Sequence, residues 1–131
     1  MTNGLFDHVD LRVRSLEQAS PFYLKLLPEL GFTRRVNVEN WLQFESVSDS
    51  SAPFFGVTES QHHVANENRI AFRARNREEV DRIALVAVEA GALNMEGPMD
   101  YDLGYRAAFF EDPCGNRLEV CYHDSAEDVE N

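Results

Sequence analysis

Residues 105–123 read YRAAFFEDPCGNRLEVCYH and carry the strongest folding signal in the chain. Two runs rich in aromatic and aliphatic residues, Tyr105 to Glu111 and Arg117 to His123, flank the short segment Asp112 to Asn116 (DPCGN). Asp, Pro, Gly and Asn are the residues that tight turns favour. The stretch therefore predicts two strands joined by a tight turn.

The preceding residues predict a strand, a helix and a further strand. Arg69 to Arg75 (RIAFRAR) has the composition of a strand, and Asn76 followed by Glu79 fits a helix-capping pattern. Apolar residues then recur at helical spacing as far as Gly91, which suits a C-terminal cap. Ala92 to Met95 predicts a weak, short strand. The second half of the chain thus has the order β-α-β-β-β.

The first half of the chain repeats this order. A strand from Leu5 to Val13 precedes a helix that begins either at Ser15 or at Ser20–Pro21, because proline is disfavoured inside a helix. Pro28 and Gly31 end that helix. Three short strands are predicted after it: Phe32 to Val38, Asn40 to Glu45 and Pro53 to Glu59.

The repeated order indicates a duplication of a half-domain. HVDLRV at 8–13 aligns with RIAFRA at 69–74, an offset of about 61 residues. Each half has too few strands to bury its own apolar face, so each needs the other. The sequence predicts an α+β fold of two tandem βαβββ modules, residues 5–59 and 69–123, in a single domain 1–131 with an acidic tail at 124–131.

Composition limits the classes of function. The chain has 131 residues, 44% of them apolar, which is enough for a core, and a net charge of −11 that repels nucleic acid. Neither a signal peptide nor an apolar run of ~20 residues is present, so we expect a cytoplasmic protein without a membrane partner. Two cysteines in such a chain favour reduced thiols over a disulfide framework.

Three stretches together resemble the vicinal oxygen chelate superfamily of glyoxalases, bleomycin resistance proteins and extradiol dioxygenases. They are FDHVDLRVRSLEQASPFYLKLLPELGF at 6–32, RIAFRARNREEVDRIALVAVEAGA at 69–92, and D-P-x-G-N-x-L-E at 112–119. The resemblance covers residues 5 to 123. It implies an eight-stranded, half-open, barrel-like mixed sheet around a concave site that holds a small molecule. Many members bind a divalent metal through His and Glu, whereas some bind drugs and catalyse nothing.

The resemblance implies a metal site with only two matched ligands, His8 and Glu119. Imidazole and carboxylate together suit Zn, Fe, Mn or Ni. The ordinary alternatives are a half-exposed strand histidine and a solvated strand carboxylate. At a third position the family commonly has histidine, but this chain has Arg69, which has no lone pair to give. The fourth position falls around Phe55 to Val57, where no ligand stands. The remaining candidates for the gap are His62, His63, Glu67 and Cys121.

Four residues are candidates for ligand contacts. Arg69 would pair with Glu119 or bind an anionic or vicinal-oxygen ligand through its planar guanidinium. Tyr105, at the end of a Y-x-x-G-Y pattern, would donate a hydrogen bond or act as an acid, or else only pack. Trp41 and Phe44 would supply apolar walls, unless they belong to the core.

Two functions remain open from the sequence. The first is a metal-dependent lyase, isomerase or dioxygenase, in which Glu119 and Tyr105 are catalytic. The second is a metal-free protein that sequesters a small molecule or drug. Because such sheets leave unpaired edges, a homodimer is also expected.

Overall fold

The computed structural model describes residues 5–39, 41–46 and 53–124, so most of the predicted tail, from 125 onward, lies outside the described residues. The chain divides into two compact units, Met1–Val64 and Ala65–Asn131, here called the first and second units. The first unit consists of β1 (His8–Val13), α1 (Leu16–Glu29), β2 (Arg34–Val38), β3 (Trp41–Glu45) and β4 (Phe54–Glu59). The second consists of β5 (Arg69–Arg73), α2 (Arg77–Ala90), β6 (Leu93–Asp102), β7 (Tyr105–Glu111) and β8 (Arg117–His123).

Each unit contains one mixed sheet of four strands. The strand orders are β1-β4-β3-β2 and β5-β8-β7-β6, with the outer strands β1 and β5 parallel to their neighbours β4 and β8. A parallel pair cannot be joined by a tight hairpin and requires a crossover, which begins with the helix in both units. The predicted α+β class with two tandem βαβββ modules is therefore confirmed. Neither described helix has the length and apolar content needed to span a membrane.

Helix α1 begins immediately after Ser15, whose hydroxyl accepts a hydrogen bond from the Gln18 amide at 3.1 Å. Pro21 lies inside the helix, so the alternative start at Ser20–Pro21 is wrong. The missing amide hydrogen of Pro21 costs one backbone bond. A buried stripe offsets that cost by packing against the sheet: Ala19, Phe22, Tyr23, Leu26 and Leu27.

Helix α2 follows its prediction closely. The Asn76 side chain accepts from the Glu79 amide at 2.8 Å and caps the first turn. Gly91 ends the helix with φ 109°, a left-handed conformation that glycine adopts without steric cost. The residues that face the sheet are buried: Val80, Ile83, Ala84 and Ala87.

Strand β6 is longer than predicted. It runs from Leu93 to Asp102, 10 residues, whereas the sequence predicted a strand only from Ala92 to Met95. Its residues are mostly exposed, and although Leu93, Met95, Met99 and Tyr101 alternate with polar residues, Gly97–Pro98 interrupts the run and argues against a continuous strand. Pairing with β7 defines it instead, with register shifts on both sides of Glu96.

Candidate functional site

One face of the second sheet carries most of the polar side chains that the sequence singled out. The opposite face packs against α2 through buried residues that include Phe72, Phe110, Leu118 and Val120. Because side chains alternate along a strand, the residues between these point away from the helix. We call this second surface the open face. The strand register arranges it in four rows: Arg69–Arg117–Glu111, Ala71–Glu119–Phe109, Arg73–Cys121–Ala107 and His123–Tyr105.

The carboxyl group of Glu119 lies at the centre of the open face. Glu119 is only 6% exposed, the Tyr105 phenol donates a hydrogen bond to its Oε2, and the Cys121 thiol hydrogen-bonds the same group. Burial raises the pKa of Glu119, and the nearby charge of Arg69 opposes that rise. The arrangement holds a carboxyl group whose proton is retained to higher pH than in water.

Tyr105 reaches Glu119 by leaning along β7. Its register partner is His123, whereas Glu119 pairs with Phe109, four residues away along β7 or ~13 Å. The residue between them on this face is Ala107, whose small side chain leaves space for the phenol ring. The His123 ring packs on the Tyr105 ring with centroids 4.5 Å apart, which fixes the orientation of the tyrosine.

Arg69 lies over an aromatic ring on the same face. Its Cζ is 4.6 Å from the centroid of Phe109, a cation–π contact. Tyr101 meets the same phenylalanine edge-on, with ring centroids 5.0 Å apart. Burial, together with the charges of Glu96 and Glu119, raises the pKa of Tyr101. The second unit thus brings together three predicted site residues, Arg69, Glu119 and Tyr105, and adds an aromatic base under the guanidinium.

The other predicted site residues lie in the first unit. His8 Nδ1 is 2.8 Å from the Asp7 carboxylate, and its ring stacks on Phe54 at 4.5 Å. Trp41 is on the same side of its sheet, but the register partners of His8 and Trp41 are four residues apart on β4, which separates them by ~13 Å.

Phe44 points to the other side of that sheet. It pairs with Phe55, whose ring stacks on Tyr23 of α1 at 6.0 Å, and it is 1% exposed. Alternation along β3 therefore makes Phe44 a core residue beneath the helix, while Trp41 faces away from it. The two aromatic residues do not form one ligand wall.

The donor groups of the second unit do not fit a metal ion. Among residues 5–39, 41–46 and 53–124, no group of three His, Cys, Asp or Glu side chains is arranged to hold one. Arg69 stands on the open face beside Glu119, and a guanidinium cannot donate electrons to a metal. Register places Gly56 in the first unit at the position that Glu119 has in the second, since Asp10–Gly56 and Ala71–Glu119 are equivalent pairs. Glycine has no side chain to offer as a ligand.

Three charged residues of the open face were missed by the sequence analysis. Arg117 and Glu111 are register partners across the DPCGN turn, and Glu96 is the partner of Phe109 on β6. Arg117 and Glu111 could have been identified from the sequence, because a tight turn between two predicted strands fixes their register. Glu96 could not, since it follows the predicted strand Ala92 to Met95 and directly precedes Gly97–Pro98, which interrupts the pattern of β6.

Two βαβββ units in tandem, with polar groups on a sheet face away from the helix, define a class of small α+β proteins. The model of the Glyoxalase/Bleomycin resistance protein/Dioxygenase superfamily matches residues 5–120, and the chain belongs to this superfamily. No curated protein matches the sequence.

Solved structures share the fold. A glyoxalase/bleomycin resistance protein from Albidiferax ferrireducens is 25% identical with a TM-score of 0.77, and the match covers 92% of this chain and 100% of that chain. The fosfomycin resistance protein FosX from Mesorhizobium loti is 21% identical, with a TM-score of 0.67 and coverage of 98% and 99%. A family enzyme from Burkholderia phytofirmans is 18% identical, with a TM-score of 0.68 and coverage of 88% and 95%. The last two show the fold alone.

Proposed function

We propose that this chain binds a small molecule on the open face of the second unit without a metal ion. The observation that carries the proposal is the position of Arg69, stacked on Phe109 and close to the buried carboxyl group of Glu119. A fixed positive charge there takes the electrostatic role that a cation has in metal-dependent relatives. The guanidinium has donors to spare, because stacking uses its face and leaves its N–H groups in the plane.

The chemistry of the face favours a ligand that carries oxygen atoms. An oxyanion or a pair of neighbouring oxygens would accept hydrogen bonds from Arg69, and Phe109 would contact an apolar part of the ligand. Tyr105 already donates to Glu119, so its role is to hold that carboxyl group in place.

Elemental analysis of tag-free protein tests the metal-free part of the proposal. We expect far less than one Zn, Fe, Mn or Ni ion per chain, and the same result after incubation with each ion and desalting. One tightly held ion per chain would contradict the proposal.

A thermal-shift screen tests the binding part. The panel would contain small carbonyl, hydroxy, carboxylate and amine compounds, with EDTA present. We expect stabilising compounds whose effect is lost in Arg69→Gln and kept in Arg73→Gln, a matched control on the same strand and face. A panel without any such compound, or equal losses in both variants, would refute it.

A second candidate is an enzyme that moves a proton. The specific observation is that burial raises the pKa of Glu119 while Tyr105 hydrogen-bonds it, an arrangement suited to general acid–base work. If any bound compound is turned over, Glu119→Gln should abolish turnover while the circular dichroism spectrum stays unchanged. Retained turnover would remove this candidate. A homodimer and a cytoplasmic location remain predictions from the sequence.

A further inference from the structure

A cavity of about 190 Å³ opens at one end of the open face, where β5 and β8 begin and β7 ends. It is smaller than the ~300–1,000 Å³ typical of sites for drug-sized ligands. Its size therefore favours a small occupant. The lining residues are Arg69, Asn94, Glu96, Phe109, Phe110, Glu111 and Arg117.

Two arginine residues on neighbouring strands line this cavity. Arg69 and Arg117 are direct register partners of the parallel β5–β8 pair, on strands ~4.8 Å apart. Within the part of the chain that the structure describes, neither guanidinium has a carboxylate oxygen within the 4.0 Å of an ion pair. Two neighbouring arginines that form no ion pair among the described residues attract an oxyanion.

Two carboxylates line the same cavity. Glu111 is the register partner of Arg117 on β7, and Glu96 is the register partner of Phe109 on β6. Asn94, with a left-handed φ of 54°, donates from Nδ2 to Glu111 Oε1 at 3.0 Å and orients that carboxylate. Register shifts flank Glu96, a device that commonly re-aims a strand residue at a site.

The charges of the cavity are thus divided, with positive groups on β5 and β8 and negative groups on β6 and β7. A simple anion would be attracted by the two arginines and repelled by the two glutamates, and a simple cation would be attracted by the glutamates and repelled by the arginines. A small molecule that carries both charges satisfies both pairs at once. Phe109, between the two, offers an apolar surface.

We propose that the cavity binds a small zwitterion of the amino-acid type. Its carboxylate lies against Arg69 and Arg117, its ammonium group lies against Glu96 and Glu111, and its side chain contacts Phe109. This inference rests on the proposed function, because it assigns a ligand class to the same face.

The test uses free L-alanine, L-valine and L-phenylalanine, each compared with its N-acetyl form and its carboxamide form. Titration would be followed by amide chemical shifts in the intact chain. We expect at least one free amino acid to bind about ten-fold more tightly than either blocked form, since each blocked form loses one charged interaction. An N-acetyl form that binds equally well would indicate an anion site, a carboxamide that binds equally well would indicate a cation site, and either result would overturn the proposal. So would the absence of binding by all three amino acids.

Variants locate the binding. Arg117→Gln and Glu96→Gln should each weaken the affinity about ten-fold, whereas Arg73→Gln, on the open face outside the cavity, should leave it unchanged. Circular dichroism checks the fold of each variant, and equal affinities in all three would overturn the assignment. If uncharged or singly charged compounds bind through Arg69 and amino acids do not, the zwitterion inference fails while the proposed function stands. If amino acids bind and a stoichiometric metal ion is also found, the metal-free part fails instead.

Discussion

Replacing Asp112 by alanine should destabilise the turn that sets the register of β7 and β8. Asp112 is fully buried, and its Oδ1 accepts from the backbone amides of Cys114 at 2.8 Å and Asn116 at 2.9 Å. Its Oδ2 accepts from the Asn116 side-chain amide at 3.0 Å. Alanine would leave all three donors without this acceptor in a largely buried turn.

The expected loss follows from these three bonds. A hydrogen bond to a charged group contributes ~1.5–3 kcal/mol, and an unmade bond at a buried donor costs ~1–3 kcal/mol. Because neighbouring effects are not additive, we expect a loss of about 3 kcal/mol for Asp112→Ala. Asparagine keeps one oxygen for the two backbone amides but brings its own amide towards that of Asn116, so Asp112→Asn should lose only about 1 kcal/mol.

Urea unfolding followed by far-ultraviolet circular dichroism measures both variants. A loss of about 3 kcal/mol corresponds to a lower melting temperature by about 10 °C for a chain of this length. Equal losses in the two variants, or a loss below about 1 kcal/mol for alanine, would refute the reasoning that the carboxylate holds the turn through these donors.

Three further changes test other parts of the second unit. Gly97→Ala should lose more stability than Gly91→Ala in urea unfolding. Both glycines have a positive φ, 84° and 109°, but an added Cβ would be 2.8 Å from the Ala107 carbonyl oxygen at Gly97, whereas it would meet nothing within 4 Å at Gly91. Equal losses of stability would contradict the steric argument. Asn76→Ala should lower the free energy of unfolding by about 1 kcal/mol through loss of the cap, and an unchanged urea midpoint would count against that role. Because burial raises the pKa of Glu119 in the folded chain, its contribution is complete at low pH and declines as pH rises from the ordinary value of 4.5 through the raised one. Unfolding measured across that pH range should therefore depend less on pH in Glu119→Gln, and an unchanged profile would show that the carboxyl group does not titrate there.

The fold was predictable because strong local signals recur in both halves. The caps at Ser15 and Asn76, and the turn at Asp112–Asn116, are short motifs that act through their own backbone. The full length of β6 escaped prediction because Gly97–Pro98 breaks the alternating pattern of Leu93–Asp102, and only pairing with β7 shows that the strand continues through it.

The site was predictable where strand parity decides which residues share a face. Arg69, Glu119 and Tyr105 meet on the open face because each is on the polar side of its own strand. Trp41 and Phe44 could not be sorted by residue type, since both are aromatic, and only the register showed that they face opposite sides of β3. The contribution of Glu96 to the cavity depended on the course of β6 beyond Met95 and was not predictable from the local pattern.

The DPCGN turn also limits how this chain tolerates insertions and deletions. Side chains of β8 alternate with a period of two, so an extra residue that moved β8 by one position against β7 would turn every following side chain to the other side of the sheet. Glu119 would then face α2, and Leu118 would lie on the open face. Insertions at this turn should therefore be tolerated only where a longer loop or a bulge takes up the added residues and the β7–β8 register is kept.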